Sequence, residues 1–220
     1  MKIVYNIIYE VKLSFNRALV KSASAMADFK LSQLFGIPLK SSRVKITTEV
    51  KWSPPSTGLT KINVDGSSIG SPATRTIGFV TRDAQTNFLG AYAQNIGHAF
   101  ALEAKLSSCM KAVEKARELH IENLWIERNS LQVVKAYNLG IGIPWRLLAG
   151  WSNCLTIGAQ VSCKITHTFR EGNLVADSLS KNGKHLALYS SQWWTAPPNF
   201  VLSLLLRDNI GLSFSRLYMD

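Results

Sequence analysis

The run Ile62-Asn63-Val64-Asp65-Gly66-Ser67 reads as an alternating strand that delivers one carboxylate to a sharp glycine turn. Asp-Gly is also an ordinary turn signal, so Asp65 gains its weight from three segments downstream. These are Glu103-Ala104-Lys105-Leu106, Ile126-Glu127-Arg128-Asn129-Ser130 and Arg170-Glu171-Gly172-Asn173-Leu174-Val175-Ala176-Asp177. Asp65, Asn129 and Asp177 fall at strand ends or helix starts, and Lys105 falls on a helix. Two carboxylates, an ammonium and an amide could therefore converge at one sheet edge, although spacing alone leaves open whether they do. Each piece has a plainer reading. Asp65 could be a turn former, and Asp177 an acid favoured by the positive end of a helix. His167 reads as a strand residue, and Trp151, Trp193 and Trp194 as packing groups rather than base-stacking platforms. Arg170 and Lys164 read as solvated cations within reach of a phosphate.

The elements that must position these groups follow from periodicity. Ile62 and Val64 alternate with Lys61 and Asn63; Ile77-Gly78-Phe79-Val80 and Phe88-Leu89-Gly90-Ala91-Tyr92-Ala93 follow, with Asp83 to Asn87 between them, as a three-strand meander. Leu102, Leu106, Cys109 and Val113 share one face of a helix expected over residues 99–119. Leu124-Trp125-Ile126 is a short buried strand, Ser130 to Tyr137 a helix ending near Gly140, and Trp145 to Ile157 another helix. A strand over Val161 to Phe169 and a helix from Asn173 complete the order βββαβαβα, an α/β class with a mixed sheet. Upstream, Ile3, Ile7, Val11, Phe15 and Leu19 repeat every four residues as in an amphipathic helix. Trp52-Ser53-Pro54-Pro55 then favours extended chain. The reading is a basic helical extension over residues 1–45, a domain over 46–190, and a tail over 191–220 that packs on it.

Together the four segments are similar to those of the ribonuclease H family, in its plant retroelement-derived, reverse-transcriptase-associated type. The similarity covers roughly Val50 to Asp220, including the Trp52-Ser53-Pro54-Pro55 entry and a tail with Trp193-Trp194, Pro197-Pro198 and Arg207-Asp208. It implies a ribonuclease H-like mixed sheet flanked by helices, and four carboxylates gathered at one sheet edge. In the family these hold two divalent ions that activate water and stabilise the leaving oxygen, a role suited to magnesium as a hard cation. The implied substrate is the RNA strand of an RNA–DNA hybrid, recognised through ribose 2′-hydroxyls.

Carried over residue by residue, Asp65 and Asp177 take two of the catalytic, metal-ligating positions. The family's helix carboxylate, in Ala/Met-Glu-Leu, is here Lys105 in Ala104-Lys105-Leu106; its fourth acid, in Asp-Ser, is here Asn129 before Ser130. Glu103 lies about 200° round the helix from Lys105 and faces away, and Glu127 is likewise two residues from Asn129. Neither replaces a missing acid. Four carboxylates would bring four negative charges, whereas these four residues bring a net of one. Two unit charges 4 Å apart interact by roughly 4 kcal/mol at an effective dielectric of 20, so an ammonium in place of a carboxylate opposes a dication strongly. Lys105 could instead pair with Asp65 or Asp177. The expectation is a degenerate site at which magnesium binding is doubtful.

Composition bounds the partners. The 220 residues carry 25 Lys and Arg against 14 Asp and Glu, a formal +11, which favours a polyanion. Residues 1–61 hold 10 basic and 3 acidic side chains, so +7 of that excess lies there. Three cysteines form no Cys-x-x-Cys pair and suit a reduced intracellular setting, nucleus or cytoplasm; a basic N-terminus leaves organelle import open. The apolar run from Phe200 stops at Arg207, short of a bilayer span, so no membrane partner is expected. The expected function is a ribonuclease H-like domain binding nucleic acid, either RNA–DNA hybrid or duplex RNA, without cleavage. A weakly active hybrid endoribonuclease and a protein-interaction scaffold are the alternatives.

Overall fold

The structure is a computed structural model. It describes residues 45–69 and 73–219, and upstream of these Tyr5 to Ile7, Tyr9, Glu10, Leu13, Lys30 and Gln33. Of the four-residue apolar series at the N-terminus, Ile7 is described and helical, while Ile3, Val11, Phe15 and Leu19 lie outside the described residues. The chain divides into two compact units, Met1–Thr48 with Arg216–Asp220, and Glu49–Ser215. Strands β1 (Lys45–Val50) and β8 (Phe214–Met219) pair as a two-stranded sheet.

The larger unit holds a six-stranded mixed sheet. β2 (Thr60–Ile69), β3 (Thr74–Arg82) and β4 (Phe88–Gly97) form the expected antiparallel meander. Asp83 closes the β3–β4 hairpin, its carboxylate accepting the backbone N–H groups of Gln85 and Asn87, with Thr86 left-handed at φ 65°. β5 (Leu124–Arg128) and β6 (Lys164–His167) run parallel to β2, and β7 (Ser191–Trp194) adds antiparallel to β4. The strand order is β6-β5-β2-β3-β4-β7. Sheet edge strand β7 therefore comes from residues read above as tail. The strand expected over 161–169 is shorter. The Val161 N–H still bonds Ile157 O, and Ser162 turns left-handed at φ 43°, so the preceding helix uses up those residues.

Helices α1 (Ala101–Glu118), α2 (Leu131–Leu139) and α3 (Leu148–Gln160) cover one face. They bury Leu106, Cys109, Val113, Val133, Trp151 and Ile157 against Ile62, Val64, Ile77 and Phe79. Gly140 ends α2 in a left-handed cap at φ 69°. On the other face lie α4 (Leu174–Asn182) and α5 (Leu202–Asn209), where Val175, Leu179, Val201 and Leu205 pack on Val80 and Ala91. Burying the apolar side chains of both faces is what stabilises the sheet. Trp193 packs beside Phe79 and Trp194 beside Phe200, so the paired tryptophans are core groups.

The alternation of Lys61 and Asn63 with Ile62 and Val64 records two buried faces rather than one buried and one wet. Lys61 and Asn63 are both 0% exposed. Lys61 pairs with Glu127 at 2.7 Å and donates to Ser53 O. Arg82 pairs with Asp208 of α5, donates to Asn63 Oδ1, and stacks its guanidinium 3.7 Å from the ring centroid of Trp52. The Trp52 Nε1–H donates to the same Asn63 oxygen at 2.8 Å. The network thus fastens the entry segment and α5 to the sheet. Asp208→Ala would leave the buried Arg82 without its anion, and removing one partner of a buried pair is strongly destabilising. We expect a loss of about 3 kcal/mol in urea unfolding, and a change within error would show that Asn63 and Trp52 suffice to hold Arg82.

Candidate functional site

Asp65 sits where β2 outruns its parallel neighbour. Pairing with β5 ends at Val64 opposite Arg128, while pairing with β3 continues through Asp65, Gly66 and Ser67 to Ile69. The glycine after Asp65 is therefore not a turn, as its sequence suggests, but part of a continuing strand. Its need is proximity: a Cβ on Gly66 would lie 2.9 Å from Ala104 O and 3.1 Å from Lys105 N. Glycine lets β2 pass directly under the first turns of α1, and so brings Lys105 alongside Asp65.

Asp177 reaches the same place from the opposite face. Asn173, at the start of α4, donates from Nδ2 to Val64 O at 2.9 Å, and the Ser67 and Ser180 hydroxyls are hydrogen-bonded. These contacts hold α4 so that the carboxylate in its first turn overlooks β2. Asn129 follows β5 directly, before Ser130 at the start of α2. Asp65, Lys105, Asn129 and Asp177 line a single cleft of about 330 Å³, together with Gly66, Ser67, Ser68, Ala101, Arg170 and Lys181.

The electrostatics of the cleft are largely those of cations. Both oxygens of Asp177 are taken, Oδ1 by Arg170 at 2.7 Å and Oδ2 by Lys181 one helical turn on. Arg170, read above as a solvated cation within reach of a phosphate, is exposed and also pairs with Asp177, whose bond holds its guanidinium above the ordinary arginine range. Lys105 forms no ion pair among the described residues, contrary to the pairing with Asp65 or Asp177 raised by its sequence position. Glu103 caps its own helix, accepting the Phe100 N–H at 2.8 Å, and Glu127 is held by Lys61 and Asn63. Neither glutamate faces the cleft. His167 ends β6 edge-on to Phe169.

Sequence reasoning missed Arg128. It ends β5, is 0% exposed, and donates from Nη1 to Lys105 O. Among the described residues its Nε and Nη2 meet no hydrogen-bond acceptor. Its charge draws the Asp65 carboxyl down, but burial outweighs that and pushes Asp65 up to about 6, with Asp177 adding to the rise. The signal for Arg128 was its place in phase with Leu124 and Ile126, just past the triplet over which the strand is expected.

The shift carries a sign. A carboxyl raised to about 6 from 3.8 contributes stability below pH 4 that is lost as pH rises through 6. Asp65→Asn removes that loss. The variant should exceed the parent by about 3 kcal/mol in unfolding free energy at pH 8, with the difference vanishing towards pH 4. A pH-independent difference would contradict the shift.

The fold and this cleft define a ribonuclease H-like protein, and comparison agrees. The chain belongs to the reverse transcriptase-like family, whose pattern matches residues 63–183. An Arabidopsis thaliana protein provisionally assigned as a ribonuclease H protein is 27% identical over 173 residues, 76% of this chain and 27% of the relative. The chain thus spans about a quarter of that relative's length. Among solved structures, a ribonuclease H1 isolated from compost superposes with a TM-score of 0.53 at 21% identity, covering 60% of this chain and 100% of that one. The N-terminal ribonuclease H domain of a Mycobacterium tuberculosis protein gives 0.52 at 23% identity, over 58% of this chain and 94% of that one. Prototype foamy virus protease-reverse transcriptase gives 0.53 at 19%, over 64% and 23%. At these identities the structures speak for the fold. No helix among the described residues is long and apolar enough to cross a membrane.

Proposed function

We propose that this chain is a nucleic-acid-binding domain of ribonuclease H type whose cleft has lost metal ligation and cleavage. The observation that carries this is the state of the donor set. A pair of magnesium ions needs several carboxylate oxygens free to face them. Of the four positions, one is an ammonium, one an amide, and Asp177 has both oxygens committed to Arg170 and Lys181. Among the described residues no three His, Cys, Asp or Glu side chains are grouped to hold an ion. Arg128, fully buried and close enough to act on the Asp65 carboxyl, adds a further positive charge beside the cleft's remaining acid. The residues present do not fit the metal pair.

Binding is supported by the formal +11 and by likeness to a compost ribonuclease H1 whose structure contains an RNA/DNA hybrid (TM-score 0.52, 23% identity). The test is fluorescence anisotropy of labelled RNA–DNA hybrid and duplex RNA in chelator, across a salt series. Log affinity should fall linearly with log salt, with a slope set by the phosphates neutralised. Salt-independent association, or none at low salt, would rule the reading out. An intracellular setting is proposed as well, and detecting the tagged chain in separated nuclear, cytoplasmic and organelle fractions would test it.

A further inference from the structure

We infer that the cleft beside Asp65 is itself a phosphate site, taking one phosphodiester of a nucleic-acid backbone directly on the protein's own cations. The inference rests on the nucleic-acid reading above and assigns it a point of contact. Lys105, Arg170 and Lys181 line the cleft against two carboxylates, leaving one positive charge in excess. The fully buried Arg128 acts on Asp65 as well and adds to the positive field at the cleft. Of the three cations, Arg170 and Lys181 already pair with Asp177, while Lys105 pairs with neither acid among the described residues.

Geometry makes the excess accessible. The side chains of Arg170 and Lys181 are 60% and 51% exposed, so their remaining N–H donors face solvent. Lys105 has no carboxylate partner among the described residues. Neutral donors surround them: Ser68 and Asn129 line the same wall, and Ala101 begins the 18-residue helix α1, whose first turn adds partial positive charge. Ammonium, guanidinium, hydroxyl and amide donors about one cleft suit a tetrahedral oxyanion. A dication finds no such welcome here.

The test uses the full chain in chelator. Affinity for an RNA–DNA hybrid should fall about tenfold for Lys105→Glu and the log–log salt slope should shrink by about one for Lys105→Ala, whereas Lys105→Arg should bind as the parent does. Magnesium at constant ionic strength should bring no gain. In parallel, NMR titration with inorganic phosphate should move the amide signals of Ser68, Lys105 and Asn129, and Lys105→Glu should abolish those shifts. Hybrid binding unaffected by Lys105→Glu would overturn the phosphate site while leaving nucleic-acid binding intact. Phosphate shifts at the cleft without hybrid binding would sink the functional reading while sustaining the site. No phosphate shifts in a protein that does bind hybrid would place the contact elsewhere and overturn the inference.

Discussion

Gly78→Ala is expected to cost the domain at least about 3 kcal/mol, because the added methyl group meets backbone that cannot step aside. An ideal Cβ on Gly78 would lie 2.3 Å from Ser180 N, 2.6 Å from Leu179 C and 2.7 Å from Ser180 Cα. Helix α4 would have to lift off β3, taking with it the Val175 and Leu179 packing on Val80 and Ala91. The consequence reaches the cleft, since α4 carries Asp177 and Lys181, and Ser180 bonds Ser67. Urea unfolding should show the loss, and the Asp177 signals in an NMR spectrum should shift with it. Stability within about 0.5 kcal/mol of the parent, a range ordinary for a harmless surface change, would mean that α4 sits further from β3 than its backbone contacts indicate.

The double change Lys105→Glu with Asn129→Asp is expected to create divalent-cation affinity where the parent has next to none. It makes the cleft three charge units more negative and completes four carboxylates with Asp65 and Asp177. Each unit is worth roughly 4 kcal/mol at 4 Å and an effective dielectric of 20. Part of the gain is spent on freeing Asp177 from Arg170 and Lys181, whose exposed head groups can turn to solvent. A gain of about a hundredfold in calorimetric titration with manganese, near 3 kcal/mol, is therefore a modest expectation. Each single change should achieve little, because Lys105→Glu leaves the amide of Asn129 and Asn129→Asp leaves the ammonium. Restored cleavage need not be large, since groups around the ligands also orient them. If the double variant binds no ion, adding Lys181→Ala decides whether the cations on Asp177 keep it out.

The core of the domain was legible because its signals are local. The spacing of Leu102, Leu106, Cys109 and Val113 marks one face of α1, and the alternation at Ile62 and Val64 marks β2. The convergence of Asp65, Lys105, Asn129 and Asp177 was legible only through family resemblance, since no spacing rule brings four distant segments to one cleft. What escaped depends on partners far along the chain. β1 and β8 pair across some 160 residues, and Ser191–Trp194 becomes a strand only because β4 offers an edge. The burial of Lys61 was not legible, because a strand buried on both faces alternates just as a half-wet one does. The spacing of Asp177 and Lys181 allowed a helical ion pair. The partnership of Arg170 with the same carboxylate was not legible, because Arg170 lies in the short 3-10 turn Arg170–Asn173 ahead of the helix, which no periodicity marks.

The most direct test of the central claim is a cleavage assay of the purified chain on an RNA–DNA hybrid, with magnesium or manganese and with chelator as control. The account predicts that the RNA strand stays intact in every buffer, under conditions where anisotropy shows the hybrid bound. Metal-dependent cleavage by the parent, abolished by Asp65→Asn, would contradict it and return this cleft to the working ribonucleases.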